Sequence, residues 1–229
     1  MLRIDLKSLL NGQARKAAHT TRYSSCSVIR QETVAEHTFH SILISYVIAS
    51  HLSRDGVQVD FGSLLTNTLC HDLEESKTGD ILRNVKHSSP EMLSLINDIG
   101  SRAMRMIDTS LDMQGEMVSS WIRAKDSTVE GQILRVADLL SVVSYLVEDY
   151  KMGNRTMEEV HQEVTTAFND AYSKVQITQL QDLLYDAAKY FTGEVDYPVK
   201  PVDPKKTPQS LADALREKIT PEERAKYDR

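Results

Sequence analysis

The residues best suited to chemistry in this chain are an adjacent His71 and Asp72, which end an apolar run and precede further acidic residues. Packing alone does not explain this pattern. Imidazole nitrogen and carboxylate oxygen are donors that suit a divalent transition metal. Two ligands do not complete such a site, but other apolar helical stretches contain His37 and Asp138. The sequence therefore predicts a metal site made by these four residues on three separate helices.

Asp138 supports this hypothesis because it falls between Leu134 and Val142, on a helix face that should point inward. A buried carboxylate must be paired, ligated or protonated, since burial of an isolated charge is very costly. A salt bridge to Arg135 or Arg22 would also satisfy Asp138, and any one of the proposed ligands has an ordinary structural explanation. Their combination favours a metal.

A cation with four protein ligands can keep a water molecule, lower the pKa of that water and polarise a phosphoryl oxygen. This equipment suffices for hydrolysis of a phosphate ester. Glu75, three residues after Asp72, could orient the water or act as a general acid, whereas Glu74 fits a solvated surface acid. Asp80 could accept a hydrogen bond from a sugar hydroxyl, or could simply be a turn residue.

Arg22 is the best candidate for a phosphate contact, because a guanidinium offers a planar fork to an oxyanion. Other basic side chains compete for this role, namely Arg30, Lys77, Arg83 and Lys86.

The composition limits the possible classes of protein. The chain has 229 residues, 41% of them hydrophobic, with 9 glycines and 6 prolines, which favours a mainly helical fold with an ample core. Its net charge of −6 argues against a surface for nucleic acid polymers. Two cysteines, Cys26 and Cys70, fit a reducing cytoplasm. We see neither a signal peptide nor an apolar run that approaches the ~18 residues of a membrane span.

Capping patterns predict where the helices start. Capping boxes are predicted at Thr33, Ser127 and Thr156, an N-cap at Asp60, and an N-cap followed by proline at Ser89 and Pro90.

Apolar spacing predicts which faces of two helices are buried. The helix after Thr33 is expected to bury a stripe, and the next helix to face its own apolar residues inward. His71 and Asp72 lie seven residues after two of these and should point toward the core. The predicted stripe is Phe39, Ile42, Leu43, Tyr46 and Val47, and the inward residues of the second helix are Leu64, Leu65, Thr68 and Leu69.

The chain divides into two parts by composition. Residues 1–194 are predicted to form one all-α domain. Four of the six prolines fall after Tyr197, so residues 195–229 are predicted to be an extended linker followed by short polar helices.

The order His37, His71-Asp72 and Asp138 resembles the signature of the HD-domain metal-dependent phosphohydrolases. The branch it resembles most is the bacterial 5′-deoxynucleotidases, over about residues 15–190. Three stretches carry this likeness: residues 32–37 (ETVAEH) resemble E-N-V-S-E-H, residues 71–80 (HDLEESKTGD) resemble H-D-x-x-E-x-x-T-G-D, and residues 136–146 resemble Q-A-D-x-L followed by Y-L.

The resemblance implies an HD-domain helical bundle that hydrolyses (deoxy)ribonucleoside 5′-monophosphates to nucleoside and phosphate. It also implies a homodimer or higher homo-oligomer and one divalent transition metal ion, such as Co²⁺, Mn²⁺, Zn²⁺ or Fe²⁺. The implied metal ligands are His37, His71, Asp72 and Asp138. The implied catalytic residues are Glu75 and Asp72. The implied substrate contacts are Arg22 for the phosphate, Asp80 for the deoxyribose, and also Tyr23 and Lys86.

Two departures from the family pattern keep alternatives open. Tyr23 stands where the family has Trp, which leaves selectivity for deoxyribose open. Residues 81–86 replace a proline-rich stretch, and the added Arg83 could favour a longer phosphate chain. The runner-up function is therefore a deoxynucleoside triphosphate triphosphohydrolase. A third hypothesis is a non-catalytic helical binding protein with a vestigial pocket, although an intact Glu75 argues against it.

Overall fold

A computed structural model describes residues 5–195, which form helices joined by short connections. Within that range there is no strand, only an isolated bridge between Thr21 and Thr33. The predicted all-α fold is confirmed. The predicted appendage lies outside the described residues, apart from Val195. The helices are α1 (Leu6–Asn11), a 3-10 helix (Ala14–Ala18), α2 (Val34–Arg54), α3 (Phe61–Cys70), α4 (Glu75–Thr78), α5 (Arg83–Lys86), α6 (Pro90–Ser110), α7 (Glu116–Arg123), α8 (Val129–Lys151), α9 (Glu158–Lys174) and α10 (Thr178–Glu194).

Helix α8 is the central element, because it packs against α2, α3, α9 and α10. Its buried residues, among them Ile133 and Leu146, join apolar side chains of all these neighbours in the main core. A second, smaller apolar cluster lies where α3 meets α6 and α7, and includes Met104, Ile107 and Trp121. None of the described helices is long and apolar enough to cross a membrane.

Three of the predicted helix starts are present. Thr33 accepts a hydrogen bond from the Glu36 amide at 3.2 Å, and the Glu36 carboxylate accepts one from the Thr33 amide at 2.7 Å. Asp60 and Ser89 cap α3 and α6 through their side chains, and Pro90 is the first residue of α6.

Two predicted capping boxes are wrong. Helix α8 is capped by Thr128 rather than Ser127, because the Thr128 hydroxyl accepts from the Gly131 amide at 3.2 Å. Glu130 instead accepts from the Asp60 amide at 2.8 Å, which ties α8 to the start of α3. Helix α9 starts after Met157 without a side-chain cap.

The predicted buried stripe of α2 is also wrong. Phe39 is 63% exposed, and Leu43, Tyr46 and Val47 are about half exposed. The buried face is narrower and more polar, because small residues let α2 approach α8 and α3 closely and because a proposed metal ligand lies on that face. Leu69 of α3, predicted to face inward, is 50% exposed. The buried residues of α2 are Val34, His37, Ser41, Ser45, Ile48, Ala49 and Leu52.

Candidate metal centre

The four residues predicted as metal ligands meet at one point between α2, the end of α3, and α8. One donor atom from each of His37, His71, Asp72 and Asp138 lies within 4.8 Å of the others. Nε2 of His37 is 3.0 Å from Oδ1 of Asp138, and Nε2 of His71 is 3.3 Å from Oδ2 of Asp72. Residues more than 100 positions apart in the chain thus share one site.

The end of α3 explains how two adjacent residues reach the same point. Helix α3 ends at Cys70, and residues 71–74 form turns instead of a further helical turn. The Leu73 amide donates to the Cys70 carbonyl at 3.2 Å, which tightens the backbone there. The side chains of His71 and Asp72 therefore do not diverge as they would in a continuing helix.

The outer nitrogen of each imidazole is held by the protein. His71 donates from Nδ1 to the Thr68 carbonyl at 2.6 Å, and Nδ1 of His37 lies 3.1 Å from the Ser141 hydroxyl. Both rings consequently present Nε2 to the cluster, as metal-binding histidines usually do when the other nitrogen has a partner. Ser141 was not predicted, although its position one turn after Asp138 on α8 was a usable signal.

The charges of the cluster fit a divalent cation. Burial lowers the pKa of His37 to about 4, so this ring is neutral and able to donate a lone pair. Burial alone would also lower the pKa of His71, but Asp72 and Asp138 outweigh it and raise that pKa to about 9. The histidines and Arg22 hold the pKa of Asp72 well below its ordinary value against the effect of burial. Asp72 and Asp138 thus favour positive charge at His71, which is a proton when no metal is bound and which a divalent ion would displace. The donor set of two imidazoles and two carboxylates suits a transition metal.

Two acidic residues follow the cluster, and both are buried. Glu75 is 9% exposed, and burial followed by the nearby Asp72 raises its pKa well above the ordinary value. One of its carboxylate oxygens has no hydrogen-bond partner among the described residues. Glu75 is thus a buried carboxyl group beside Asp72, at the start of α4, and its surroundings favour the protonated form.

The expectation that Glu74 is a solvated surface acid is wrong. Glu74 is 6% exposed, and burial together with Asp72 raises its pKa to about 7. Helix α6 covers it: a Cβ added to Gly100 would lie 3.3 Å from Cγ of Glu74 and 3.2 Å from the Trp121 ring. The missing side chain at Gly100 is what allows α6 to pack so closely over this acid.

Arg22 lies at the edge of the cluster and is buried. Its Nη1 is 3.3 Å from Oδ2 of Asp72, and its Nε is 3.3 Å from Oε2 of Glu32. The Arg22 amide also donates to the Glu32 carbonyl at 2.8 Å. Glu32 therefore fixes the side chain from one side and leaves the Nη end toward the cluster.

Tyr23 and Asp80 are linked through the backbone. The Tyr23 amide donates to Oδ2 of Asp80 at 2.7 Å, and Tyr23 has a left-handed backbone with φ of 53°. The Tyr23 ring is 6% exposed and stacks parallel to the Tyr145 ring at a centroid distance of 5.3 Å. The ring is part of the core, whereas the half-buried Asp80 carboxylate keeps one oxygen for another partner.

The remaining basic residues differ in their surroundings. Lys86 lines a cavity of about 30 Å³ together with Glu74, Glu75 and Gly100. Arg83 forms an ion pair with Asp170 of α9. Arg30 pairs with Glu36 and Glu148 at the surface, and Lys125, which was not predicted near the site, lies 3.7 Å from the centre of the Trp121 ring.

Comparisons with known proteins agree with this fold. The family model described as 5′-deoxynucleotidase YfbR-like matches residues 14–191. None of the curated proteins compared with the chain matches it.

Similar solved structures include a conserved hypothetical protein from Pyrococcus furiosus, with 20% identity and a TM-score of 0.65 over 81% of this chain and 99% of that one. The PH0347 protein from Pyrococcus horikoshii has 17% identity and a TM-score of 0.64 over 81% and 99% of the two chains. An HD-domain phosphohydrolase from Listeria innocua has 18% identity and a TM-score of 0.63 over 82% and 98%. At these identities the structures support the fold alone.

Proposed function

Because the chain belongs to the YfbR-like 5′-deoxynucleotidase family, we propose that it hydrolyses (deoxy)ribonucleoside 5′-monophosphates to nucleoside and phosphate. Its family and fold make it a metal-dependent phosphohydrolase of the HD-domain kind. The observation that carries the proposal is the convergence of two imidazoles and two carboxylates within 4.8 Å, with Glu75 directly beside them.

The proposed metal ligands are Nε2 of His37 and His71 and one carboxylate oxygen each of Asp72 and Asp138. One divalent ion held there, such as Co²⁺, Mn²⁺, Zn²⁺ or Fe²⁺, would activate water and polarise a phosphoryl oxygen. The second nitrogen of each ring is already engaged, by Ser141 and by the Thr68 carbonyl, which favours binding through Nε2.

Glu75 is proposed to act as the general acid and then as the general base of the reaction. Burial and the nearby Asp72 raise its pKa, which favours the protonated form, and that proton can be given to the 5′-oxygen of the leaving nucleoside. After that transfer, the carboxylate can accept a proton from the attacking water. Burial keeps this group away from bulk solvent, so that its proton is available to the substrate.

Arg22 and Asp80 are proposed to hold the two ends of the nucleoside phosphate. The Nη end of Arg22 faces the cluster, and a phosphate oxygen could take the place of its contact with Asp72. The free oxygen of Asp80 can accept a hydrogen bond from a sugar hydroxyl while the Tyr23 amide holds the other. Tyr23 would thus contribute through its backbone, and Lys86 would lie at the edge of the nucleoside.

We place the triphosphate alternative second. Arg83 was the residue that favoured a longer phosphate chain, and it is paired with Asp170. The vestigial-pocket alternative is disfavoured because the four donors lie close together and a buried Glu75 lies beside Asp72.

A hydrolysis screen tests the proposed function. Ribo- and deoxyribonucleoside mono-, di- and triphosphates are incubated with the purified chain and several divalent ions, and the released ion is identified. Inorganic phosphate from monophosphates supports the proposal. Release of triphosphate supports the runner-up function, and absence of hydrolysis with every ion, together with absence of a stoichiometric metal, supports a binding protein.

Two further features belong to this proposal. The exposed apolar residues of α2, Phe39, Leu43, Tyr46 and Val47, are hereafter called the α2 stripe. Exposed apolar residues grouped on one helix face can form an interface, and we place a homodimer contact there. Cys26 and Cys70 are both free, which supports a cytoplasmic location.

A further inference from the structure

Two of the proposed substrate contacts, Asp80 and Lys86, lie on one short segment that connects α4 to α6. This segment, residues 79–89, is hereafter called the strap. It begins at Gly79, where a backbone φ of 77° turns the chain away from α4, and it ends at the N-cap of α6.

Apart from Leu82, which packs against the main core, the strap has little buried apolar surface. Its one-turn helix α5 contains no buried residue, and Asn84, Val85, His87 and Ser88 are exposed. A segment with few buried apolar contacts is held in place mainly by hydrogen bonds and ion pairs, and it unfolds locally more readily than the core. The position of Asp80 and Lys86 therefore depends on what holds the strap.

Helix α9 provides polar contacts to the strap, although it contains none of the proposed ligands or substrate contacts. Asp170 forms an ion pair with Arg83 in the strap. Seven residues earlier on the same helix, which is about two turns, the Glu163 carboxylate faces the Asn84 backbone amide. Arg83 is thus paired with one acidic residue of α9 and the neighbouring Asn84 faces a second, while the Tyr23 amide donates to Asp80.

We propose that Asp170 and Glu163 are positioning residues that act through Arg83 and Asn84, and that hold the strap where Asp80 and Lys86 can meet the nucleoside part of the substrate. The inference rests on the proposed function, because it assigns the strap to the nucleoside. It predicts that the α9 ties affect recognition of a nucleotide and leave the chemistry of a simple phosphate ester unchanged.

Two substrates separate these effects. A deoxyribonucleoside 5′-monophosphate uses both the metal cluster and the strap, whereas p-nitrophenyl phosphate has no sugar or base. In Arg83→Gln and Asp170→Asn, we expect KM for the nucleotide to rise about two- to fivefold, in line with the loss of one exposed ion pair. We expect a larger rise in Asp170→Asn combined with Glu163→Ala. The kinetics with p-nitrophenyl phosphate should stay unchanged in all three.

The chain offers a matched control for loss of an ion pair. Lys151 and Glu194 form a comparable partly exposed pair between α8 and α10, away from the strap. Lys151→Gln should change neither substrate's kinetics. Exchanging the charges, with Arg83→Asp and Asp170→Arg in one chain, should bring the nucleotide KM back toward the wild-type value, which a merely local packing defect would not allow.

The outcomes are distinct. If the nucleotide KM of Asp170→Asn combined with Glu163→Ala equals that of the wild type within experimental error, the positioning role is overturned. An equal rise in KM for p-nitrophenyl phosphate overturns it as well. A wild-type chain that hydrolyses p-nitrophenyl phosphate and no nucleotide overturns the proposed function, and the positioning role with it. Amide hydrogen exchange provides a second readout: exchange should accelerate in residues 81–87 of Arg83→Gln and not in Lys151→Gln.

Discussion

The Nε2 atoms of His37 and His71 lie 3.3 Å apart, and the Nδ1 atom of each ring faces a protein group. The two rings come from different helices, so their approach depends on the packing of α2 against α3. Two imidazoles held in this way form a preorganised pair of nitrogen donors, to which Asp72 and Asp138 add oxygen donors.

Asp72→Ala removes one of the proposed ligands. We expect loss of bound metal and of hydrolysis together, because the carboxylate serves the ion and also faces Arg22. Metal content per chain and hydrolysis rate are the measurements. Asp98→Ala, on an exposed part of α6, is the control and should lose neither. Full activity of Asp72→Ala without stoichiometric metal would show that the cluster does not bind a required ion.

Ser141→Ala tests the support of His37. Without the hydroxyl 3.1 Å from Nδ1, the ring is less well oriented, and we expect metal affinity to fall about 10- to 100-fold. A competition titration with a chelating dye measures this affinity. Ser144→Ala removes an exposed hydroxyl from the same helix and should leave affinity unchanged. Equal affinities in the two variants would mean that Ser141 does not orient the ring.

Glu75→Ala tests the proposed proton transfer. We expect the variant to keep metal and to bind substrate, but to lose turnover by about 10²- to 10⁴-fold, as for a general acid–base residue. Glu75→Gln fills the same space and distinguishes loss of the proton from loss of packing. Glu91→Ala, at an exposed position of α6, is the control. A near-normal rate in Glu75→Gln would assign the proton transfer to another group.

Leu43→Glu tests the α2 stripe as an interface. Leu43 is 49% exposed, so a charge there is tolerated in the monomer but not in an apolar contact between two copies. We expect a dimer for the wild-type chain and a monomer for the variant in sedimentation velocity. Met106→Glu, on another exposed apolar residue of α6, should remain dimeric. A wild-type monomer would remove the homodimer proposal, and a dimeric Leu43→Glu would place the interface elsewhere.

His161 gives the stability a dependence on pH. Burial lowers the pKa of His161 from its ordinary 6.5. As the pH falls below that value, the unfolded chain therefore binds more protons at His161 than the folded chain does. The free energy of unfolding should therefore fall as pH drops below 6.5, by at most about 1.4 kcal/mol per pH unit from this one group. Replacing the ring, which stacks on Phe191 at 5.6 Å, by phenylalanine should remove this contribution.

The measurement for His161 is the slope of unfolding free energy against pH between 7 and 5.5. His161→Phe should show a shallower slope than the wild-type chain. His51→Phe, at an exposed position of α2, should keep the wild-type slope. Parallel slopes in His161→Phe and the wild type would mean that His161 is protonated equally in the folded and unfolded chains.

The helical fold and the convergence of the cluster could be predicted from the sequence, because residue types and helix ends are local properties. His71 and Asp72 follow directly on a helix that ends at Cys70, and that end is visible in the acidic residues that come next. The capping box at Thr33 was readable for the same reason.

The side of α2 that faces the core was not predictable in this way. Periodicity shows that a helix has an apolar stripe, and does not show whether the core or another surface covers it. The inward face carries His37, Ser41 and Ser45 in its first half, with Ile48 and Leu52 in its second half. The predicted stripe residues Phe39, Leu43, Tyr46 and Val47 are exposed. The burial of Glu74 escaped prediction for a similar reason, because it depends on the close approach of α6 at Gly100, distant in sequence.

The position of Asp138 and Ser141 on α8 has a thermodynamic consequence. The same helix contributes to most of the main core, so the donors keep their arrangement only while the domain is folded. Any ion that prefers this arrangement then adds to the free energy of unfolding, by about 2.7 kcal/mol at a hundredfold excess over its Kd. Chelation would remove that contribution, and the melting temperature of the enzyme would rise with the concentration of free metal ion.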